Sequence, residues 1–173
     1  MPASTLLKQH MSLFTKIGKP VLDLACGSGR NGLHLQEQGF PVIFADKNSQ
    51  ALAGITADSQ TREQIKPTQC WQVDFESGEQ QLLPNSYQAI MVFRYLHRPL
   101  LPQLKQAVCA GGIVIYETFT TDNRQFGRPH RDEFLLQPGE LKQLFADWQC
   151  LHYFEGIKTG PDRAIAQIVC RKT

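Results

Sequence analysis

Three carboxylates and one glycine-rich run are the residues whose types and spacing could do chemistry. Gly27-Ser28-Gly29-Arg30-Asn31-Gly32 satisfies the pattern G-x-G-x-x-G. Between a strand and a helix, such glycines let the backbone approach a nucleotide-type cofactor where the first N–H groups of the helix are unpaired. Alone, the pattern does not choose among cofactors. Four residues before Gly27, Asp23 interrupts the apolar run 20–25, where a carboxylate is costly unless a donor or a cation meets it. Asp46 ends a second apolar run, where one carboxylate can accept from both hydroxyls of a ribose. Asp74 ends a third, with Phe75 beside it, a pairing suited to the amino group and the face of a base.

These groups can be positioned only if strands alternate with helices. Leu6, Leu7, His10, Met11 and Phe14 lie at helical spacing and predict a leading helix over about 3–15. A buried strand over 20–25 stops at Cys26 and the glycines, and a helix over 30–38 ends at Gly39. A strand over 42–45 runs into Asp46, and Asn48 caps a helix through Ala51, Leu52 and Ile55. Strands are expected over 70–73 and 88–93, then a helix over 100–110 closed by Gly111-Gly112. A strand over 113–117, a helix over 138–145 and a hairpin of 150–154 with 164–169 complete the order. Such alternation implies right-handed βαβ units and a mostly parallel sheet covered on both faces. The long irregular stretch 119–137 is of the kind that is functional or mobile.

A nicotinamide-dependent oxidoreductase would share the glycine pattern. Against it stand Asp23 inside the first strand, the absence of a second domain for hydride chemistry, and the terminal hairpin. The motifs point elsewhere. Val21-Leu22-Asp23-Leu24-Ala25-Cys26-Gly27-Ser28-Gly29-Arg30-Asn31 resembles the first motif of class I S-adenosylmethionine-dependent methyltransferases. Asp46-Lys47-Asn48 resembles the acidic position after their second strand, and Val73-Asp74-Phe75 the segment that lines adenine. Within that superfamily, Gly29-Arg30-Asn31, Asp46-Lys47-Asn48 and Pro138-Gly139-Glu140-Leu141 before Trp148 are similar to the tellurite-resistance methyltransferase family.

The resemblance implies an α/β fold, a Rossmann-like doubly wound sheet of seven strands with an antiparallel C-terminal strand, spanning 1–173 as one domain. It implies S-adenosylmethionine as cofactor. Asp23, Ala25, Gly27, Gly29, Arg30 and Asn31 would surround it from the first motif, Asp46 and Lys47 from the second. Asp74, Phe75 and Phe93 would complete the set. Asp23 would answer to the cationic amino-acid end of the cofactor or to the loop that holds it. Where the fourth strand ends, Tyr95 and His97 either orient an acceptor or relay a proton, or pack against their neighbours. Arg124, Arg128, His130 and Arg131, interleaved with Asp122, Asp132 and Glu133, read as a lid whose cations, Arg128 above all, meet an anionic acceptor, or as a self-compensating solvated loop. His34 reads as structural, and His10 and His152 carry no signal.

Composition sets the outer bounds. With 42% hydrophobic and 20% charged residues in 173, the chain can bury a core. A net charge of +2 offers no global field for a nucleic acid. Five scattered cysteines without a C-x-x-C pair predict neither a disulfide framework nor a metal site; they read as reduced thiols, mostly core fillers. No signal-peptide block and no run of about 20 apolar residues is present, so a cytoplasmic protein without membrane contact is expected. The segment after the fourth strand is not the Asn/Asp-Pro-Pro-aromatic type of enzymes that methylate base amines. A small-molecule acceptor, such as a thiol or chalcogen oxyanion, is the leading expectation. A protein or RNA methyltransferase that needs a partner, and a non-catalytic cofactor-binding module, are the other readings.

Overall fold

The computed structural model describes residues 1–60 and 68–173. Seven strands form one sheet: β1 (Val21–Leu24), β2 (Val42–Asp46), β3 (Gln69–Gln72), β4 (Tyr87–Phe93), β5 (Val108–Phe119), β6 (Gln149–Lys158) and β7 (Arg163–Arg171). Their order is β3-β2-β1-β4-β5-β7-β6. Pairing is parallel from β3 through β5, and β7 runs antiparallel to both β5 and β6. Connections run one way from β1 through β2 to β3 and the other way from β4 to β5. A crevice therefore opens at the carboxyl ends of β1 and β4.

The helices are α1 (Thr5–His10), extended by a 3-10 turn over Met11–Leu13, α2 (Arg30–Glu37), α3 (Ser49–Gln60), α4 (Leu101–Ala107) and α5 (Glu140–Leu144). Asn48 caps α3 as expected, its Oδ1 accepting from the N–H groups of Gln50 and Ala51 at 3.0 and 3.2 Å. No helix of the described residues is long and apolar enough to cross a membrane. The two-residue period of the strands divides the core into two faces. Leu22, Leu24, Ile90, Val114, Tyr116 and Ile168 pack with Leu104, Phe145 and Trp148. Val21, Met91, Ile115 and Val169 pack with Leu7, Leu35 and Ile55 on the face of α1, α2 and α3. By the same alternation Asp23, Phe93, Glu117 and Gln167 fall on that second face, near the carboxyl ends of β1, β4 and β5.

Two expectations need correcting. The helix over 100–110 ends at Ala107, and Val108 already pairs with Tyr87. Between the pairs Tyr87–Val108 and Ala89–Ile113 the chain bulges outward. Gly111 there takes a φ of +74° and donates its N–H to the Lys172 carbonyl at 2.9 Å, while the Gly112 carbonyl accepts from Lys172 N at 2.8 Å. A Cβ on Gly112 would stand 2.8 Å from the carbonyl of Gln88. The glycine pair therefore serves a strand irregularity, not a helix stop.

The stretch 119–137 is tied down. Two 3-10 turns, Thr121–Gln125 and Asp132–Phe134, fold it back so that Thr120 bridges Leu136. Asn123 is buried, accepting from Ala164 N at 3.0 Å and donating to the Arg128 carbonyl at 3.3 Å. Leu135 and Leu136 are fully buried. Arg98 fixes the far end: Nε and Nη2 grip both oxygens of Glu140 at 2.6 and 2.8 Å, and Nη2 also donates to the Leu135 carbonyl at 2.9 Å. That grip holds the Glu140 carboxyl below its ordinary range. Because its folded pKa is depressed, its contribution is present above the unfolded value and fades as pH falls through the folded one. Arg98→Ala should lower stability by about 1.5–3 kcal/mol near neutral pH, with the loss shrinking in acid. Denaturant unfolding at several pH values tests this, and an equal loss at all of them would show that the Glu140 pair contributes little.

Candidate functional site

The glycine loop is held from two sides by strand-end carboxylates. Asp46 Oδ2 accepts from Gly27 N at 2.8 Å, while its Oδ1 accepts from Asn48 N at 2.9 Å. Asp23 Oδ2 accepts from Gly32 N, in the first turn of α2, at 2.9 Å. Gly27 and Gly29 adopt φ of +54° and +71°, conformations that side-chain-bearing residues rarely take. Gly29 also sits against α3, where an added Cβ would meet Ile55 Cδ1 at 2.7 Å. Gly32 has still less room, with Phe44 Cε1 at 2.4 Å and Asp23 Oδ2 at 2.8 Å. The third glycine of the pattern is thus a packing requirement.

Two cavities open beside this loop and share Arg94. The first, about 200 Å³, is lined by Ala25, Asp46, Lys47, Val73, Asp74, Phe75, Glu76, Arg94 and Tyr95. It has carboxylates at its rim and aromatic walls, and Trp71 stacks edge-on against Phe75 at 5.6 Å. Lys47 pairs with Glu76 at 3.7 Å. Ala25 and Arg94, at the ends of β1 and β4, have φ of 53° and 58°, left-handed values whose strain clusters at functional sites. Arg94 is held in that turn by its N–H, which donates to the Glu117 carbonyl at 2.8 Å.

The second cavity, about 440 Å³, lies between the N-terminal segment, α2 and the β6–β7 hairpin. Arg30, Arg94, Lys158 and Arg163 line it, with Glu117 and Gln167. Burial, and then the neighbouring Arg94, lower the pKa of Arg30, while Glu117 and Asp23 act in the opposite sense. Such crowding of cations marks a place for an anion. Arg30 and Asn31 also anchor the N-terminal wall, since Arg30 Nη1 donates to the Pro2 carbonyl at 3.3 Å and Asn31 Oδ1 accepts from Ser4 N at 2.8 Å.

Residues 8–161 match the family described as tellurite resistance protein TehB. The chain belongs to this family. A probable S-adenosyl-L-methionine-dependent methyltransferase TehB of Haemophilus influenzae (strain KW20 / Rd) is 28% identical over 145 residues, covering 79% of this chain and 48% of the relative. Hemagglutinin 1 of Eikenella corrodens is 30% identical over 144 residues, 79% of this chain and 46% of that protein. The chain thus spans about half the length of the curated relatives it matches. The crystal structure of TehB from Haemophilus influenzae superposes with a TM-score of 0.76 at 22% identity, over 97% of this chain and 61% of that one. A magnesium protoporphyrin IX methyltransferase from Synechocystis, solved with bound SAH, gives 0.73 at 13% identity over 98% and 80%. These likenesses show a Rossmann-like α/β fold.

Within this TehB-family chain, the residues expected at the cofactor do not all meet in one place. Ala25, Asp46, Lys47, Asp74 and Phe75 line the first cavity. Asp23, Gly27, Gly29 and Asn31 shape the loop behind it, Arg30 faces the second cavity, and Phe93, half-buried, packs against the core face of α1, α2 and α3. Tyr95 lies in the first cavity, where burial and the Glu76 and Asp74 carboxylates push its phenol up. His97 lines a different cavity, with Glu76, Arg98 and Phe134. Arg128 lines neither the first nor the second; its side chain is exposed and its carbonyl is occupied by Asn123. The cations of the second cavity come instead from α2, the turn after β4 and the terminal hairpin. Lys158 and Arg163 carried no signal in the sequence because they flank an ordinary Gly-Pro turn. The cysteines are free as expected, but only Cys170 is a core residue. Burial, then Asp23 and Asp46, push the Cys26 thiol up, which leaves it a poor nucleophile.

Burial raises the Asp23 carboxyl to about 7, against the opposing effects of the Gly32 N–H and Arg30. A raised folded pKa means that the folded state binds more protons between the ordinary carboxyl value and about 7, so stability falls as pH rises through that window. Asp23→Asn removes the ionisation. Its stability relative to wild type should therefore rise by roughly 2–4 kcal/mol between pH 4 and pH 8. A pH-independent difference in denaturant melts would show that Asp23 is already compensated.

Proposed function

We propose that the chain binds S-adenosylmethionine in the first cavity and transfers its methyl group to a small anionic acceptor in the second. The observation that carries this reading is the meeting of two cavities of opposite character at Arg94, one with carboxylate and aromatic walls and one with four cations. The residues fit the cofactor. Asp46 uses one lone pair for the Gly27 N–H of the loop and one for the Asn48 N–H, which leaves acceptor sites for two ribose hydroxyls. Asp74, whose Oδ1 also holds Glu76 N at 2.9 Å, stands beside Phe75 for a base. Asp23 is a buried carboxylate with no ion-pair partner among the described residues, so a cationic amino-acid end nearby would relieve its burial cost.

When bound, the sulfonium supplies an electrophilic methyl group. The chain's own contribution is alignment and exclusion of water. Arg94, fixed by its left-handed turn, stands at the junction, and Arg30, Lys158 and Arg163 orient an anion against it. A thiol or chalcogen oxyanion suits such a site, because it brings its own lone pair. The cavity's modest volume supports a small acceptor over a macromolecular one.

S-Adenosylmethionine or its demethylated product should raise the melting temperature, by mass action, and NAD should not. A shift with NAD and none with either sulfur compound would reject the reading. Asp46→Ala should weaken S-adenosylhomocysteine binding by about 1.5–3 kcal/mol while the chain stays folded. Unchanged affinity by calorimetry would reduce Asp46 to a loop-holding residue.

A further inference from the structure

Glu117 is the one carboxylate among the described residues that line the second cavity. It is 7% exposed and lies in register between Phe93 on β4 and Gln167 on β7. Gln167 Nε2 donates to its Oε2 at 2.5 Å. The other end of that amide is taken, since Gln167 Oε1 faces His152 Nε2 at 3.3 Å, and the His152 ring packs on His10 of α1 at 5.3 Å. The amide is therefore oriented with its nitrogen toward Glu117. No described residue gives Glu117 a second side-chain hydrogen bond, and Arg30, Arg94, Lys158 and Arg163 share the cavity with it without forming a close ion pair.

A carboxylate offers about four acceptor sites, and the Gln167 amide fills one of those on Glu117, leaving the others open to a donor in the cavity. An anion with no proton of its own would pair with the cations but confront Glu117 with like charge. A ligand that joins an anionic group to an O–H or S–H satisfies both, giving its charge to the cations and its proton to Glu117.

We propose that Glu117 is a specificity-determining residue of the second cavity, accepting a hydrogen bond from a proton that the methyl acceptor still carries. The cavity thereby selects small acids with one anionic group and one O–H or S–H group over anions that lack such a proton. This rests on the second cavity being the acceptor site.

Glycolate and propionate test it, because they share a carboxylate and nearly the same size and differ in a hydroxyl against a methyl group. Titrated into S-adenosylhomocysteine-loaded wild type, glycolate should bind at least about tenfold tighter, as a charge-assisted hydrogen bond implies. In Glu117→Gln, the Gln167 nitrogen keeps the new amide oxygen, so the amide NH₂ is left for the cavity. The preference should fall to near one, and propionate itself should bind more tightly, since a like charge is gone. S-Adenosylhomocysteine affinity should not change. Equal binding of the two acids by wild type, or a preference that survives the substitution, would overturn the role of Glu117 while leaving the anion cavity standing. Binding of neither acid at millimolar concentrations would overturn the cavity assignment and this inference with it. The wild-type ratio decides alone should the variant not fold.

Discussion

Two carboxylates hold the glycine loop, and the geometry of both cavities depends on that hold. Asp46 at the end of β2 takes the N–H of Gly27, and Asp23 within β1 takes the N–H of Gly32 in the first turn of α2. Together they set where β1 stops and where α2 begins. Unpaired N–H groups at such a junction would otherwise be a burial penalty. The glycines are required for the same reason. At Gly32 a Cβ would press on both Phe44 and the Asp23 oxygen, so the hydrogen bond and the tight packing stand or fall together.

Charge is then divided across the sheet's carboxyl edge. Acidic side chains from β2 and the segment after β3 face the first cavity, and basic ones from α2, the turn after β4 and the hairpin face the second. Arg94 belongs to both, and its backbone is left-handed, at a cost on the order of 1–3 kcal/mol. The bond from its N–H to Glu117 ties that turn to β5, so the same residue links the position of Arg94 to the buried polar row of the second cavity. The antiparallel β7 matters here, since it delivers Gln167 opposite Glu117 and brings Arg163 back from the hairpin.

Much of this was legible in the residues. The strand-glycine-helix junction, the carboxylates ending the runs before Asp46 and Asp74, the Asn48 cap and the terminal hairpin all follow from local pattern, because each is made by neighbours in sequence. Less legible was anything decided by distant partners. Gly111-Gly112 reads locally as a helix stop, yet β7 and the C-terminal Lys172 turn it into a bulge of β5. The arginines of 119–137 read as a lid, yet Asn123, Arg98 and two buried leucines hold that segment in place, and Arg124 pairs with Asp132 within it.

The sequence by itself determined the order of strands and helices and the identity of the glycine loop that joins β1 to α2, since period, caps and glycines act over a few residues. It also determined which carboxylates end which strands. Only the tertiary structure decided which cations converge. Arg30, Arg94, Lys158 and Arg163 are spread over more than a hundred residues, and no spacing along the chain relates them. They meet because β4, β5 and β7 pair in that register, and burial of the apolar faces sets that register without regard to the charges carried at its edge.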